Sequence, residues 1–305
     1  MRKIFLLLIL LGFFVQSQAQ YSTRWKRYRY ELVYGLGATN FLGELGGADK
    51  VGTNFIRDFE FSMTRPAITL GLRYKILEKL STKVSLNYGV LRGDDRTTDE
   101  TYRHNRNLNF YAHLVEFGGH IEYSVVREKI GHRYNLRRVR GLKGFKLNTY
   151  FFTGIAGFYF NPYGKHPVTG EWVALQPLGT EGQGMVGSRE KYSRFQLAIP
   201  FGIGFKYGLN REWSIGLELG ARKTFTDYID DVSTTYYDNA KLAAVNPLAA
   251  EMADPSLGEV QGQAGANQQR GDPKDYDSYM FLTITVNYKL KTTRSGLPKF
   301  SLGGH

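Results

Sequence analysis

The chain contains 305 residues and no cysteine. It therefore forms no disulfide, offers no thiolate to a metal, and has neither a cysteine nucleophile nor the lipidated cysteine of a bacterial lipoprotein. Long apolar runs are equally scarce. After the first 20 residues, no segment contains the roughly 18 consecutive apolar residues that a membrane-spanning helix requires. The order of this protein must therefore come from another architecture.

The first residues, MRKIFLLLILLGFFVQSQAQ, have the features of a secretory signal peptide. A basic start precedes an apolar run at residues 4–15, and Ser17 and Ala19 supply small side chains before a cleavage site. We therefore predict a signal peptide at residues 1–19. An N-terminal membrane anchor is the alternative, and the apolar run is short for a membrane span.

The composition is basic and rich in glycine and aromatic residues. The formal net charge is +12, with 35 glycines, 21 tyrosines and 20 phenylalanines. Nucleic acid is a poor partner for an exported protein, so the charge favours outer-membrane lipid, lipopolysaccharide or an acidic protein. Glycine suits the crowded interior of a membrane barrel, and aromatic side chains suit the girdles at its two interfaces.

The clearest periodic stretch is FQLAIPFGIGFKY, at residues 195–207. Large apolar side chains alternate with small or polar ones, which is the pattern of a strand with one apolar face. Thirteen residues at about 3.3 Å each, tilted by about 40°, cross roughly 30 Å, enough for the apolar belt of an outer-membrane barrel. A long strand of a soluble β-sandwich is the alternative.

Seven other segments alternate in the same way. Long loops follow the first, third, fifth and seventh predicted strands, and tight turns follow the second and sixth. This arrangement is typical of an outer-membrane barrel with both termini in the periplasm. The predicted strands cover residues 29–40, 67–76, 82–91, 109–125, 147–160, 195–207, 213–222 and 279–290.

We therefore predict an all-β protein, an eight-stranded antiparallel transmembrane outer-membrane β-barrel with a filled lumen. The barrel covers residues 20–292, and residues 293–305 form a periplasmic C-terminal tail. Both faces of the fifth strand carry aromatic residues, so its orientation stays open. Pro200 cannot donate to a strand ladder, so we expect a bulge or a missing hydrogen bond there. Residues 240–275 are rich in Ala, Gly, Gln, Asn and Pro, which predicts a mobile segment.

The predicted inward faces carry acids and cations together. An eight-stranded barrel is just wide enough for side chains to fill it, and charges buried there must be paired. We therefore expect an ion-pair network in the lumen, which disfavours a porin. Its principal members are Glu31, Arg73, Glu116, Glu122, Glu218 and Arg222, with Lys75, Lys83, Lys206 and Lys289 beside them.

Catalysis has little support in the sequence. His113 and His120 share a strand with Glu116 and Glu122, but no spacing of serine, histidine and acid indicates a nucleophile. No HExxH motif occurs. We therefore predict no catalytic residues, no cofactor and no enzyme activity. An enzyme that acts on lipid through His120 or Glu122 is the alternative.

Aspartates cluster where the seventh strand ends, at Asp227, Asp230 and Asp231. Oxygen-rich clusters can hold calcium, but the spacing is not that of an EF-hand. Aspartates at a strand end also stabilise turns through hydrogen bonds to the backbone, and Arg57, Arg222 or Lys223 could pair with them. These three residues are therefore weak candidates, and no metal is predicted.

Residues 127–146 are the most basic part of the chain. In the predicted topology they form a periplasmic connection, where short turns are usual. We interpret this connection as a docking surface for an acidic partner; a charged face held near anionic head groups is the alternative. The docking candidates are Arg127, Lys129, Arg133, Arg137, Arg138, Arg140 and Lys143.

Two passages resemble a known family. One is YELVYGLGATNFLGELGG (residues 30–47), which leads into GTNFIRDFEFSMTRPAITLGLRYKI (residues 52–76), and the other is ELGARKTFTDYIDDVS (residues 218–233). Together they resemble the small outer-membrane barrels of Bacteroidota that include PorG, a component of the type IX secretion system. The resemblance covers nearly the whole mature chain and implies an integral outer-membrane protein without catalytic residues. Related barrels of unassigned function share these passages.

For a PorG-like member, the resemblance implies contact with the periplasmic ring formed by the lipoprotein PorK and PorN. We therefore expect a structural or anchoring component of the type IX protein secretion system. The alternative is a surface-exposed binding or adhesion barrel that acts through its long extracellular loops. The first hypothesis places function at residues 127–146, and the second places it in the loops at residues 163–190 and 228–277.

Overall fold

The computed structural model describes residues 23–43, 45, 63–128, 146–293 and 296–299. The predicted signal peptide lies outside these residues, as do most of the first long loop and the basic connection from Lys129 onward. Within the described ranges, no helix is long and apolar enough to cross a membrane.

Eight long antiparallel strands form the wall, and each pairs with the next wall strand along the chain. Two short strands lie outside the wall: β6 (Trp172–Ala174) pairs with β5, and β10 (Pro298–Lys299) pairs with β9. The helices are α1 (Thr101–Arg106), α2 (Asn239–Val245) and α3 (Pro247–Ala253), with 3₁₀ turns at Thr23–Arg27 and Asp95–Thr97. The wall strands are β1 (Tyr30–Leu42), β2 (Arg65–Lys75), β3 (Leu80–Asp94), β4 (Asn109–Val126), β5 (Leu147–Lys165), β7 (Phe195–Gly208), β8 (Trp213–Thr224) and β9 (Ser278–Thr292).

The first and last wall strands pair with each other and close the barrel. Their register runs from Tyr30 opposite Leu290 to Leu42 opposite Ser278. No wall strand therefore has a free edge, whose unpaired N–H and C=O groups would be costly in lipid. The predicted eight-stranded antiparallel barrel is confirmed.

The two ends of the barrel differ. The connections after β1, β3, β5 and β8 leave from one end, here called the loop end. The turns at residues 76–79 and 209–212 leave from the other, here called the turn end, and so does the longer connection between β4 and β5. Two strands extend at least three residues further toward the loop end than expected: β3 reaches Asp94 and β5 reaches Lys165. Beyond the apolar belt the outer face no longer needs apolar residues, so the alternation that reveals a strand in the sequence fades.

The outer face of the barrel is apolar. On β4 the outward side chains of Val115, Phe117 and Ile121 are 41%, 63% and 58% exposed, while the inward residues between them are buried or glycine. All eight wall strands expose large apolar side chains in this way. A protein surrounded by water rarely exposes such an area, so this belt is the surface that a bilayer covers.

Aromatic side chains border the belt at both ends. On the outward face of β4, Tyr111 and Tyr123 are twelve residues apart, which corresponds to about 30 Å across a bilayer for a strand tilt of about 40°. Tyr111 stacks on Tyr163 with ring centroids 5.1 Å apart. At the turn end, the rings of Trp213 and Tyr288 lie 4.7 Å apart. Such rings mark the two membrane interfaces.

The structure assigns the orientation of β5. Tyr150, Phe152 and Phe158 are buried in the lumen, whereas Phe151 and Tyr159 are exposed on the lipid-facing side. Aromatic residues therefore serve two purposes on this strand, since the odd-numbered ones contact lipid and the even-numbered ones fill the barrel.

Pro200 interrupts the ladder between β5 and β7. The pairing stops at Thr153 opposite Phe201 and resumes at Ala156 opposite Ala198, so two residues are skipped on each strand. The register is the same on both sides of this gap, which means that no bulge is present. Because proline has no N–H to donate, the second of the two expected outcomes, a local loss of pairing, is the one observed.

The loop-end connections fold into a cap, defined here as residues 95–108, 166–194 and 225–277. The segment at residues 240–275, which the composition predicts to be mobile, contains α3 and most of α2. Alanine favours helix formation, and the Asp238 and Asn246 side chains accept hydrogen bonds from the first turns of α2 and α3. The helices bury Leu242, Ala249, Ala250 and Ala253 against Leu178, Met185 and Tyr237.

Candidate functional site

A buried network of charges fills the turn-end half of the lumen, with Arg73 of β2 at its centre. The Arg73 guanidinium is 2% exposed, and all five of its N–H donors are used, since a guanidinium has no more than five. The acceptors lie 2.6 to 3.2 Å away and are Glu122, Glu31, Asn287, Glu218 and Tyr150.

Two lysines balance the charge of this network. Lys83 Nζ lies 2.5 Å from Glu218, and Lys206 Nζ lies 2.8 Å from Glu31. Together with Arg73, these lysines provide three cations for three carboxylates. Buried charges are tolerated only when they are paired, and each of these six has a partner within 3.0 Å.

A second ion pair lies nearer the loop end. The Glu116 carboxylate accepts hydrogen bonds from Arg222 at 3.1 Å, from the Tyr279 hydroxyl at 2.8 Å and from the Asn87 amide at 2.6 Å. The Arg222 guanidinium also lies 4.5 Å from the centroid of the Phe281 ring. The Glu116 carboxylate and the Arg222 guanidinium are therefore paired with each other and held by neutral side chains of the lumen.

Apolar side chains close the lumen above these charges. A cavity among the charged groups has room for about one water molecule. An ion channel needs a continuous aqueous path, and in the described part of the lumen buried side chains occupy the interior instead. The fully buried apolar residues include Leu91, Phe110, Leu114, Phe158 and Phe160.

The two histidines of β4 lie on opposite faces of the wall. His120 is buried in the lumen, and neither of its ring nitrogens has a hydrogen-bond partner among the residues that the structure describes. His113 lies on the lipid side, where its Nδ1 is 2.8 Å from the Tyr88 hydroxyl. Glu122 is engaged by Arg73. The described residues therefore do not place a serine, a histidine and an acid in the hydrogen-bonded chain that activates a nucleophile.

Of the predicted docking residues, Arg127 is the one that the structure describes. Its Nη1 lies 2.7 Å from Glu78, in the turn at residues 76–79. Arg127 and Lys146 both lie at the turn end, so the connection between them begins and ends there. The other candidates lie outside the described residues: Lys129, Arg133, Arg137, Arg138, Arg140 and Lys143.

A further buried polar network holds the cap together. Glu181 accepts a hydrogen bond from the Thr234 hydroxyl at 2.6 Å and lies 3.1 Å from Arg270. Arg270 donates to the carbonyl of Asp231 at 2.7 Å, and Arg106 of α1 donates to the carbonyl of Arg270 at 2.6 Å. These contacts join the three loop segments of the cap.

The carboxyl group of Asp231, in this network, has a raised pKa. Its carboxylate accepts hydrogen bonds from the Thr180 and Tyr192 hydroxyls, both at 2.6 Å. Burial raises the pKa of Asp231 from 3.8 to about 6, although Arg270 and both hydroxyls act in the opposite direction. The folded cap therefore keeps a proton that the unfolded chain releases. This contribution to stability is complete below pH 3.8 and is lost as the pH rises through about 6.

The three aspartates proposed as weak calcium ligands are all buried. Hydroxyl groups occupy both carboxylate oxygens of Asp231. Across the described ranges, no three acidic or histidine side chains gather into a metal site. Of the pairings considered from the sequence, Arg222 is bound to Glu116 and Lys223 lies 3.5 Å from Asp275. Arg57 lies outside the described residues.

Sequence reasoning missed the neutral members of these networks. Tyr150 could not be placed in the lumen because the orientation of β5 was open. Assigning the even-numbered residues of this strand to the inner face would have placed it there. The contact between Glu181 and Arg270 joins two separate loops, and no local pattern in the sequence indicates it.

Comparison with known proteins shows no family for this chain. No family model matches the chain, and no curated protein matches it. Among solved structures, the attachment invasion locus protein Ail of Yersinia pestis is 7% identical, with 86% of this chain and 98% of that chain covered and a TM-score of 0.38. OprG from Pseudomonas aeruginosa is 10% identical, with 87% and 98% covered and a TM-score of 0.37. The outer membrane enzyme PagL is 11% identical, with 85% and 99% covered and a TM-score of 0.32. Likenesses at this level carry no argument about function, and these three include both an attachment protein and an enzyme.

Proposed function

We propose that the chain is a non-conducting, non-enzymatic barrel of the outer membrane that anchors other proteins to it. The filled lumen is the observation that carries this proposal. Three carboxylates and three cations neutralise one another there, and apolar residues close the space above them. A barrel filled in this way offers solutes no path, so its surfaces and its two ends are what remain for function.

The orientation of the barrel follows from its two unlike ends. In outer-membrane barrels the short turns face the periplasm and the long loops face outward. The turn end therefore lies in the periplasm, together with both chain termini. The basic connection between Arg127 and Lys146 then faces the periplasm as well, where an acidic protein can reach it.

Within this anchoring function, we propose a specific role in type IX secretion. It rests on the resemblance to PorG-like barrels and on the charge of the connection at residues 127–146. In this role the barrel holds a periplasmic ring of PorK/PorN-like proteins against the outer membrane. The basic side chains of this connection would attract and orient an acidic ring surface electrostatically, whereas a neutral partner would experience no such attraction.

Photo-cross-linking in intact cells tests this role. A photo-reactive residue is placed at Arg137 or Arg140 in one set of variants, and at Val186 in the cap, whose side chain is fully exposed, as a matched control. Capture of periplasmic ring lipoproteins from the two basic positions, and not from Val186, is the expected result. Capture of lipid alone from those positions, with normal protein export in a deletion strain, would contradict the secretion role.

The ordered cap favours a second candidate, a surface-binding or adhesion barrel. Buried contacts between Glu181, Arg270 and Arg106 hold three loops in one arrangement, and a fixed arrangement of loops is suited to binding a partner. Replacing the exposed Val168 and Val186 by glutamate would then abolish binding to a surface partner without affecting export. Loss of export in these variants would count against this candidate.

A further inference from the structure

Lysines line the mouth of the lumen at the turn end. Lys206 and Lys289 are buried, and Lys75 is partly buried. Glu31 lies 2.8 Å from Lys206, and Glu128 lies 2.6 Å from Lys289. Among the described residues, the Lys75 side chain has no hydrogen bond or ion pair, and the charges around it are those of Glu31, Glu128, Lys289 and Arg73. Three ammonium groups therefore share two carboxylates at this mouth.

Glu128 enters the mouth from a loop and not from the wall. β4 ends at Val126, and Glu128 follows on the connection to β5. Its Oε1 and Oε2 atoms lie 2.9 and 2.6 Å from Lys289 Nζ, and the side chain is 9% exposed. A loop side chain held by one lysine can withdraw without breaking any pairing of the barrel strands.

The wall leaves space for this carboxylate at Gly208, the last residue of β7. A Cβ atom on residue 208 would collide with Glu128 Oε1. The backbone of Gly208 does not have a positive φ angle, so another residue could adopt its conformation. Space for the carboxylate is therefore what glycine provides at this position.

We propose that Lys75, Lys289 and Gly208 form a carboxylate-binding socket, which Glu128 fills in the free protein and which an acidic side chain of a partner protein fills on docking. This inference rests on the proposed function, because that function supplies a periplasmic protein partner at the turn end. It adds a specific site to that surface and a competition that controls access to it.

The chemistry of the mouth selects this occupant. Glu128 demonstrates that the carboxylate of a glutamate outside the wall strands reaches Lys289. The Lys75 side chain adds a cation with no ion-pair partner among the described residues. Among these residues, Glu128 pairs with Lys289 only, so an entering acid is also attracted by the ammonium group of Lys75. The neighbouring connection is basic in sequence and would attract the same acidic segment.

Fluorescence anisotropy of a fluorescein-labelled hexaglutamate peptide, with the full chain in neutral detergent micelles, tests the socket. Every variant carries Arg133→Gln, Arg137→Gln, Arg138→Gln and Arg140→Gln, so that the connection itself does not bind the probe. Within this background, Glu128→Gln removes the competing carboxylate and leaves the socket open to the probe. If Glu128 leaves the socket free about a tenth of the time, this variant binds the peptide about tenfold more tightly. Gly208→Ala, added to Glu128→Gln, places a Cβ atom where a bound carboxylate lies and removes this gain.

Lys75→Gln provides the converse change. Since Lys75 takes part in no ion pair among the described residues, this variant is expected to fold, which heat-modifiable mobility on gels verifies. Added to Glu128→Gln, it weakens hexaglutamate binding by about threefold or more, the loss expected for one charge contact of at least 0.6 kcal/mol. A hexaglutamine peptide is the matched control probe and does not bind.

Three results would overturn the proposal. The first is an unchanged peptide affinity in Glu128→Gln, or a gain in that variant that persists when Gly208→Ala is added. The second is an unchanged affinity after Lys75→Gln. The third is tighter binding of inorganic phosphate than of hexaglutamate, which would identify a general anion site. The cross-linking experiment at Arg137 tests the ring partner separately from peptide binding. A failure of the proposed function can therefore be distinguished from a failure of the socket.

Discussion

Replacing Arg73 by methionine should destabilise the barrel by about 4 kcal/mol, the usual cost of breaking a buried ion pair from one side. The three carboxylates around Arg73 are not affected equally. Glu31 keeps Lys206 at 2.8 Å, and Glu218 keeps Lys83 at 2.5 Å. The third carboxylate is left with a lysine 3.8 Å away. The variant therefore leaves one poorly compensated buried charge, and the cost is that of one broken pair and not of three.

That third carboxylate belongs to Glu122, which gives the prediction a partner variant. Adding Glu122→Gln to Arg73→Met restores the balance of charge, because two acids then face two lysines. The double variant should recover at least about 2 kcal/mol, since replacing both members of a buried pair is often nearly neutral. Arg73→Lys keeps the charge but has three donors in place of five, and it should fall between wild type and Arg73→Met.

The assay is urea unfolding of the refolded chain in lipid vesicles, followed by the fluorescence of its three tryptophans. Leu70→Met on the lipid-facing side of the same strand is the matched control and should cost less than about 1.5 kcal/mol. The reasoning is refuted if Arg73→Met lies within 1 kcal/mol of the wild type, or if Glu122→Gln gives no relief. Either result would mean that the lumen charges are solvated and not paired.

Three further predictions concern the cap, the wall and the lumen. Burial raises the pKa of Asp231 to about 6, so opening of the cap should be about tenfold rarer at pH 5 than at pH 7. Hydrogen exchange, corrected for intrinsic rates, measures this opening. Asp231→Asn should remove the difference, and an unchanged pH profile in this variant would contradict the assignment. A Cβ atom on Gly154 would strike the backbone of Gly119, whereas one on Gly119 would meet nothing; Gly154→Ala should therefore cost about 3 kcal/mol or prevent folding, and Gly119→Ala should be nearly neutral. In planar bilayers the wild-type chain should show no stable single-channel steps, and regular steps would disprove the filled lumen.

The sequence by itself determined the strands and the lipid-facing surface. Alternation with a period of two depends only on which side of a strand each residue faces, so Val115, Phe117 and Ile121 could be assigned to the outer face without a structure. Eight such segments predicted eight antiparallel strands, and the alternation of long and short connections supported this topology, with the basic connection after the fourth strand as the exception. The inward positions of Glu31, Arg73 and the other lumen charges followed from the same alternation.

Only the tertiary structure decided which charges meet. Arg73 and Glu218 are far apart in sequence and lie on strands that are not neighbours, and their contact depends on the radius and stagger of the closed barrel. The cap also required three dimensions, because Glu181 and Arg270 come from different loops and composition alone suggested a mobile segment. The carboxylate of Glu128 beside Lys289 is a contact of the same kind. Periodicity specifies the face on which a side chain lies, whereas a pairing across the lumen is set by the closure of the whole sheet.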